Sequence, residues 1–263
     1  MSDDSVLFRA SPDGVATVTL NRPEVHNAFD DAVIERLSEV FADIAGSDGI
    51  RAVLIESTGK SFSAGADLNW IRRAADYDDE ENRADARALG EMLHRLNVLP
   101  RPTIALVQGA AYGGGVGVVA ACDIVVAVKH ATFSLTEVRL GLIPAVISPY
   151  VIAAIGARQA RRYFLTAERF NAVEARRIGL VHGVVDDPSE LPAAAEGIVA
   201  QIFPAAPGAV AAAKDLIFGV AGRPIDDDVI GETARRIAEV RARDEAREGV
   251  AAFLEKRKPG WVA

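Results

Sequence analysis

One cysteine, four histidines and two methionines in 263 residues leave little for disulfide or metal chemistry. A single thiol excludes an intrachain disulfide, and Cys122 sits in the apolar run Val116 to Ala127 with no histidine near it. Packing, not nucleophilic attack, is its expected role. His26, His94, His130 and His182 show no metal-ligand spacing, so surface or packing roles and no metal are expected. Basic residues are also short: 29 Lys and Arg against 37 Asp and Glu give a net charge of -8. That balance argues against nucleic acid as a partner, although a local basic pocket for an anionic ligand is compatible with it. No run approaches the roughly 20 apolar residues that cross a bilayer, and Met1 to Asp4 begins no signal peptide. A cytoplasmic enzyme with no membrane partner is expected.

What is present is a chain half hydrophobic and a quarter charged, long enough for one large domain and an appendage. Val6-Leu7-Phe8, the turn Ser11-Pro12-Asp13-Gly14 and Val15 to Leu20 read as a hairpin. Val33, Ile34, Leu37, Val40, Phe41 and Ile44 recur at helical spacing behind Asp30-Asp31, predicting a helix that ends near Gly46. Ala52 to Ile55, Thr103 to Val107 and Ile124 to Ala127 read as short buried strands, with a charged helix from about Asn82 to Val98 between the first two. The repeated order of strand, turn and helix predicts an α/β layer structure with largely parallel strands. The acidic cluster Asp76 to Glu81 reads as a solvated, mobile segment. Beyond Pro144 helices dominate: Tyr150 to Ala157, Ala172 to Ile178, Leu191 to Ile202, Gly208 to Val220, and one charged helix from Asp226 to Lys256. A boundary at Pro188 to Leu191 divides a core domain, residues 1–190, from a helical carboxy-terminal region, residues 191–263.

Two glycine-containing turns carry the chemistry. Ser63-Ala64-Gly65-Ala66-Asp67 and Gly109-Ala110-Ala111-Tyr112-Gly113-Gly114-Gly115 each follow an apolar run, and such turns can bring two backbone N–H groups to one point. Donors fixed in that way form an oxyanion hole, so chemistry on a carbonyl or thioester is expected. Two other motifs compete. Gly115-Val116-Gly117-Val118-Val119-Ala120 fits a dinucleotide fingerprint, but the acidic residue expected at the end of the next strand is missing. Gly59-Lys60-Ser61 fits the end of a P-loop, but Leu54 stands where its first glycine belongs.

Leu20-Asn21-Arg22-Pro23-Glu24 with Asn27-Ala28, Phe62 to Leu68, Gly113-Gly114-Gly115 with Cys122-Asp123-Ile124, and Phe133 to Glu137 with Leu140 to Pro144 occur in that order. Together they resemble the enoyl-CoA hydratase/isomerase (crotonase) superfamily, over the chain from about Val6 to Pro259. The resemblance implies a crotonase-like spiral of ββα units and a helical carboxy-terminal oligomerisation region that builds a homotrimer or homohexamer. It implies an acyl-CoA substrate, with coenzyme A part of that substrate and no prosthetic group. The family's oxyanion donors fall on the N–H groups of Ala66 and Gly114. Its CoA contacts fall on Arg22, Val25, Ala28, Ala64, Ala66, Asp67 and Leu68, with Lys256 or Lys258 near the phosphates; Lys256 to Lys258 equally fit a solvated helix end. The acyl pocket is expected from Trp70, Ile71, Tyr112, Gly117 and Val146.

The resemblance also implies where this chain departs. Hydratases of the family hold water between two glutamates, and here the first position is Gly117 and only the second survives, as Glu137. One carboxylate suffices for a double-bond shift, as in the family's isomerases. The segments Phe62 to Trp70 and Gly141 to Tyr150, however, resemble a bacterial branch assigned to 3-methylglutaconyl-CoA hydration in leucine catabolism, in which glycine also fills the first position. Hydration is therefore expected, with a single-glutamate isomerase and a non-catalytic acyl-CoA binding protein as alternatives. Leu135, Val138 and Leu140 around Glu137 predict an apolar setting that raises its pKa.

Overall fold

The computed structural model describes residues 4–262; Met1 to Asp3 of the expected signal-free amino terminus lie outside the described residues. The chain opens as predicted with a hairpin, β1 (Val6–Ala10) and β2 (Val15–Leu20), paired antiparallel with Val6 opposite Leu20. Helix α1 (Asp31–Ala45) follows, its first turn closed by Asp30, whose side chain accepts from the Val33 N–H. That bond satisfies one of the amide donors a helix start leaves free.

The chain then repeats one unit three times. A longer strand is followed after a tight turn by a very short one, and then by helix: β3 (Ala52–Ser57) and β4 (Ser61–Ser63) with α2 (Leu68–Ala74) and α3 (Asp79–Asn97). β5 (Thr103–Val107) and β6 (Ala110–Tyr112) lead to α4 (Gly114–Ala121), and β7 (Ile124–Val128) and β8 (Thr132–Ser134) lead to α5 (Ser148–Thr166). After β9 (Phe170–Asn171), α6 (Ala172–Arg177) and β10 (Gly183–Val185) come α7 (Leu191–Ile202), α8 (Pro207–Val220), α9 (Asp227–Arg241) and α10 (Asp244–Leu254). The first strand of each unit joins a six-stranded sheet, ordered β1-β2-β3-β5-β7-β10, and the second joins a four-stranded sheet, ordered β4-β6-β8-β9. This is the spiral of ββα units that the resemblance implies.

The large sheet is buried on both faces at its centre. On β5 and β7, Ala105, Val107, Val125 and Ala127 face the main core with α1 and α3, while Ile104, Leu106, Val126 and Val128 pack on Leu191 and Ala195 of α7. Apolar residues at successive positions follow from that double burial. Helix α7, which opens the expected carboxy-terminal region, is thus a cover for the sheet, and the helices after it pack largely on one another.

Three expectations need correction. The acidic cluster is not a loose segment: Asp78 caps α3, and Glu81 returns a bond to the Asp78 N–H in a reciprocal capping box. The charged terminal helix is two helices, because Arg243 is extended (φ -75°, ψ 150°) and ends one before the other begins. The short strands β4, β6 and β8 are missing from the strands expected of the sequence; at three residues each they are too short for a period to show.

Candidate active site

Strands β4, β6 and β8 run parallel side by side, so the residues just past their ends come together. These are Ala64-Gly65-Ala66, Gly113-Gly114 and Leu135-Thr136-Glu137. Carboxyl ends of adjacent parallel strands are where ligands bind in α/β sheets. Gly113 has a left-handed φ of 48°; a Cβ placed there would lie 3.3 Å from Glu137 Oε1 and 3.9 Å from Gly65 Cα. Only glycine lets the two turns and the carboxylate meet so closely.

The hydrogen bonds leave few amides of the two turns free. In the first turn the Ala64 N–H donates to the His26 carbonyl, the Gly65 N–H to Ser63 Oγ and the Asp67 N–H to the Phe29 carbonyl, which leaves the Ala66 N–H without an acceptor among the described residues. In the second turn the Gly113 N–H donates to the Ser134 carbonyl, whereas Gly114 begins α4 and its N–H has no acceptor within the helix. The Ala66 and Gly114 amides, on which the resemblance puts the oxyanion donors, are among those the two turns leave without an acceptor among the described residues.

Glu137 opens a short 3-10 turn, Glu137–Leu140, and is half-buried. Its Oε2 is sealed from solvent and has no hydrogen-bond partner among the described residues. Burial pushes its pKa above the ordinary glutamate value, and a bond from its own backbone N–H offsets this only in part. The direction agrees with the sequence expectation, although Leu140 is 63% exposed and contributes little to the burial. A carboxylate left unpaired beside free amide donors can take a proton from a bound molecule and return it.

These groups open on a cavity of about 330 Å³ in which Glu137 is the sole ionisable side chain. Ala64, Ala66, Gly114, Leu68, Trp70, Ile71 and Val146 line it as expected, and so do Phe29, Leu89 and Ile147, which sequence reasoning missed. Two expected members are elsewhere. The Tyr112 hydroxyl lies 3.0 Å from Thr132 Oγ1 and its ring beneath Arg169, outside the cavity wall, because β6 alternates its side chains and Ala111 takes the inner side. Gly117 is buried behind Ile147: a Cβ on it would lie 2.3 Å from Ile147 Cγ2. A larger cleft of about 840 Å³, between the outer sheet face and α7, has no such convergence of free amides on a buried base. The dinucleotide-like glycines are used for packing, since a Cβ on Gly115 would strike the Ser63 carbonyl at 2.8 Å.

The residues expected around coenzyme A divide. Arg22 is committed within the protein: Nη1 pairs with Asp30 at 2.8 Å and donates to the Ala28 carbonyl, and Nη2 pairs with Asp67 at 3.1 Å. Asp67 caps α2 through the Asn69 N–H; burial pushes its pKa up, but the Asn69 and Trp70 amides and Arg22 outweigh that and hold it low. Arg22 therefore braces the turn instead of presenting a free cation. Val25 ends the 3-10 turn Pro23–Val25, and Ala28 is buried just beyond it. Lys256, in a left-handed conformation past α10, is exposed and does not line the cavity.

Asn27 is the structural residue of this region. Buried and with φ 53°, it donates from Nδ2 to the Thr58 and Ser61 carbonyls and accepts the Arg22 N–H at Oδ1. A left-handed non-glycine so fully bonded marks a turn held in place by its surroundings. Asp85 was also missed: it accepts from the Trp70 indole N–H at 2.8 Å, orienting a cavity wall, while burial keeps its carboxyl above the ordinary range. Cys122 lies in a separate cleft, its thiol pushed up to about 12 by burial, which leaves it unreactive.

Comparison with known proteins decides the family. The enoyl-CoA hydratase/isomerase family model matches residues 10–263. The chain belongs to that family. An enoyl-CoA hydratase structure from Shewanella pealeana is 42% identical, with a TM-score of 0.95 over 98% of this chain and 96% of that one. A short-chain-enoyl-CoA hydratase of Clostridium acetobutylicum is 34% identical over 93% of this chain and 92% of its own length. A trans-2-decenoyl acyl-carrier-protein isomerase of Streptococcus mutans is 30% identical over 100% of this chain and 99% of its own. Members named for both reactions are thus similar to it over nearly their full lengths.

Proposed function

We propose that the protein adds water to a 2-enoyl-CoA to give the 3-hydroxyacyl-CoA, with Glu137 as its single proton carrier and the Ala66 and Gly114 N–H groups as its oxyanion hole. The observation that carries this reading is the buried, unpartnered Glu137 Oε2 beside two free amides in an apolar cavity. Water oxygen bonds to the β-carbon, Glu137 takes one of its protons and a proton is delivered to the α-carbon. The enolate charge that develops on the thioester oxygen is stabilised by the two amides. A purely binding protein has no use for an unpaired buried carboxylate, which costs stability.

A branched glutaconyl ester is the preferred substrate, as the likeness of the Gly141 to Tyr150 segment to 3-methylglutaconyl-CoA hydratases implies. Its distal carboxylate supplies a second acid where Gly117 supplies none. The second reading, a double-bond isomerase in which Glu137 moves one proton from C2 to C4, is favoured by the filling of the Gly117 position by Ile147. Assembly into a trimer or hexamer is supported by apolar residues that α8 to α10 leave exposed, among them Ile217, Ile230, Phe253 and Leu254, and light scattering measures it.

Supplying 2-enoyl-CoA and 3-enoyl-CoA esters in oxygen-18 water separates the reactions. Hydration consumes the conjugated ester and places the label in a 3-hydroxyacyl product. Conversion of the 3-enoyl to the 2-enoyl ester without label, with 2-enoyl esters left unhydrated, would establish the isomerase instead.

A further inference from the structure

Gly117 lies three residues past Gly114 on α4, one helical turn along the same face, and a side chain there would meet Ile147, which lines the cavity. The space is already full. A Cβ on Gly117 would lie 2.3 Å from Ile147 Cγ2, 3.0 Å from Ile147 Cβ and 3.5 Å from Leu93 Cδ1. The contact at Ile147 Cβ matters most, because a branched carbon next to the backbone cannot swing aside as a side-chain tip can. The Ile147 backbone is also fixed, as it caps α5 and its carbonyl accepts the Val151 N–H.

Ile147 is 3% exposed and still lines the cavity, whereas Leu68 and Ile143, which also line it, are 70% and 73% exposed. Exposure thus falls from the mouth, at Leu68 and Ile143, to a closed end where α3, α4 and α5 meet at Leu93, Gly117 and Ile147. We propose that Ile147 is the residue that sets acyl length: seated over Gly117, it closes the inner end of the cavity, and it restricts the site to short or branched acyl groups. The proposal rests on the acyl-CoA reading above but not on which reaction follows. The same packing means that a carboxylate cannot be restored at position 117 unless Ile147 is shortened first.

Removing the Ile147 side chain opens space toward Gly117 and Leu93, and a Cβ on Gly117 refills it. The test therefore measures affinities of saturated acyl-CoA esters from four to ten carbons by calorimetry, which needs no turnover. Hydrophobic pockets discriminate roughly tenfold or more per methylene. In Ile147→Ala the ratio of octanoyl-CoA to butyryl-CoA affinity should rise at least about tenfold over wild type, and Gly117→Ala added to it should return most of that gain. Ile147→Val, a milder change, should move the ratio in the same direction and stands in if Ile147→Ala does not fold. A length profile parallel to wild type in the folded variants, or a gain that Gly117→Ala leaves intact, overturns the proposal. Unchanged selectivity in an enzyme that does turn over enoyl-CoA would sink this inference alone. A shifted profile in a protein with no turnover would sink the catalytic reading and keep the length limit at Ile147.

Discussion

The two sheets come from the same repeated unit and share one apolar core, yet they do different work. The central strands of the large one have five or six residues and bury Val53, Ile55, Ala105 and Val125 against the main core. Strands of the small one have two or three residues and bury Ser61, Ser63 and Ser134 beside Phe62, Ala111, Phe133 and Phe170. There the polar groups fix the backbone: Ser63 Oγ accepts the Gly65 N–H, Ser134 Oγ donates to the Ala167 carbonyl and the Ser134 carbonyl accepts the Gly113 N–H. Apolar burial is strong and non-directional, whereas hydrogen bonds are weaker and geometric. Apolar burial thus serves both sheets, and the buried hydroxyls of the small one add the directional bonds that aim the two turns.

The sharpest way to break this comparison is Glu137→Gln, which keeps the shape and removes the proton carrier. Turnover should fall at least about a hundredfold with acyl-CoA affinity and melting temperature nearly unchanged. Near-normal kcat would mean that the base lies elsewhere.

Gly114→Val should lose activity as well, but at a cost in stability. Its Cβ would come 3.1 Å from Phe29 Cδ2, and overpacking of this kind costs about 1–3 kcal/mol. Denaturant unfolding beside steady-state kinetics reads both, and an active, fully stable variant would place the oxyanion hole elsewhere.

A matched pair then compares the sheets directly. Ile55→Val in the large sheet and Ser63→Ala in the small one should each cost roughly 0.5–1.5 kcal/mol. Only Ser63→Ala, which frees the Gly65 N–H, should lower kcat in the folded enzyme. Equal kinetic effects from the two would abolish the proposed division of labour.

The smallest effect is in pH. Because burial raises the folded pKa of Glu137 above its ordinary 4.5, the folded chain keeps a proton that the unfolded chain has lost between those two values. Its contribution to stability is complete below 4.5 and disappears as pH rises through the folded pKa. As a base it works only when ionised, so kcat/KM should decline on acidification at a pH above the ordinary carboxylate range. That limb should be absent from the residual activity of Glu137→Gln, and a limb at an ordinary carboxylate pKa in wild type would place the residue in water.

Much of the large sheet could be read from the chain because its strands are long enough to show burial, and α1 and the hairpin because their caps and turns are local. Within the site, the two glycine-containing turns were legible in the residues themselves, whereas Ala66, Gly114 and Glu137 were singled out by the family resemblance. Tyr112 was misplaced because three residues do not reveal which face of a strand looks inward. Arg22 is a free cation in sequence and a braced one in the fold, since Asp30 and Asp67 reach it only when two turns meet.

The sequence by itself determined the alternation of strand and helix, the two turns able to present bare amides, and a single carboxylate where two are usual. Those are properties of local backbone preference and of residue identity. Only the tertiary structure decided which amides stay free, that Glu137 Oε2 is buried without a partner, and that Ile147 fills the place opposite Gly117. Each depends on atoms from strands and helices far apart in the chain, and long-range packing, unlike a turn or a cap, leaves no pattern in any one stretch of residues.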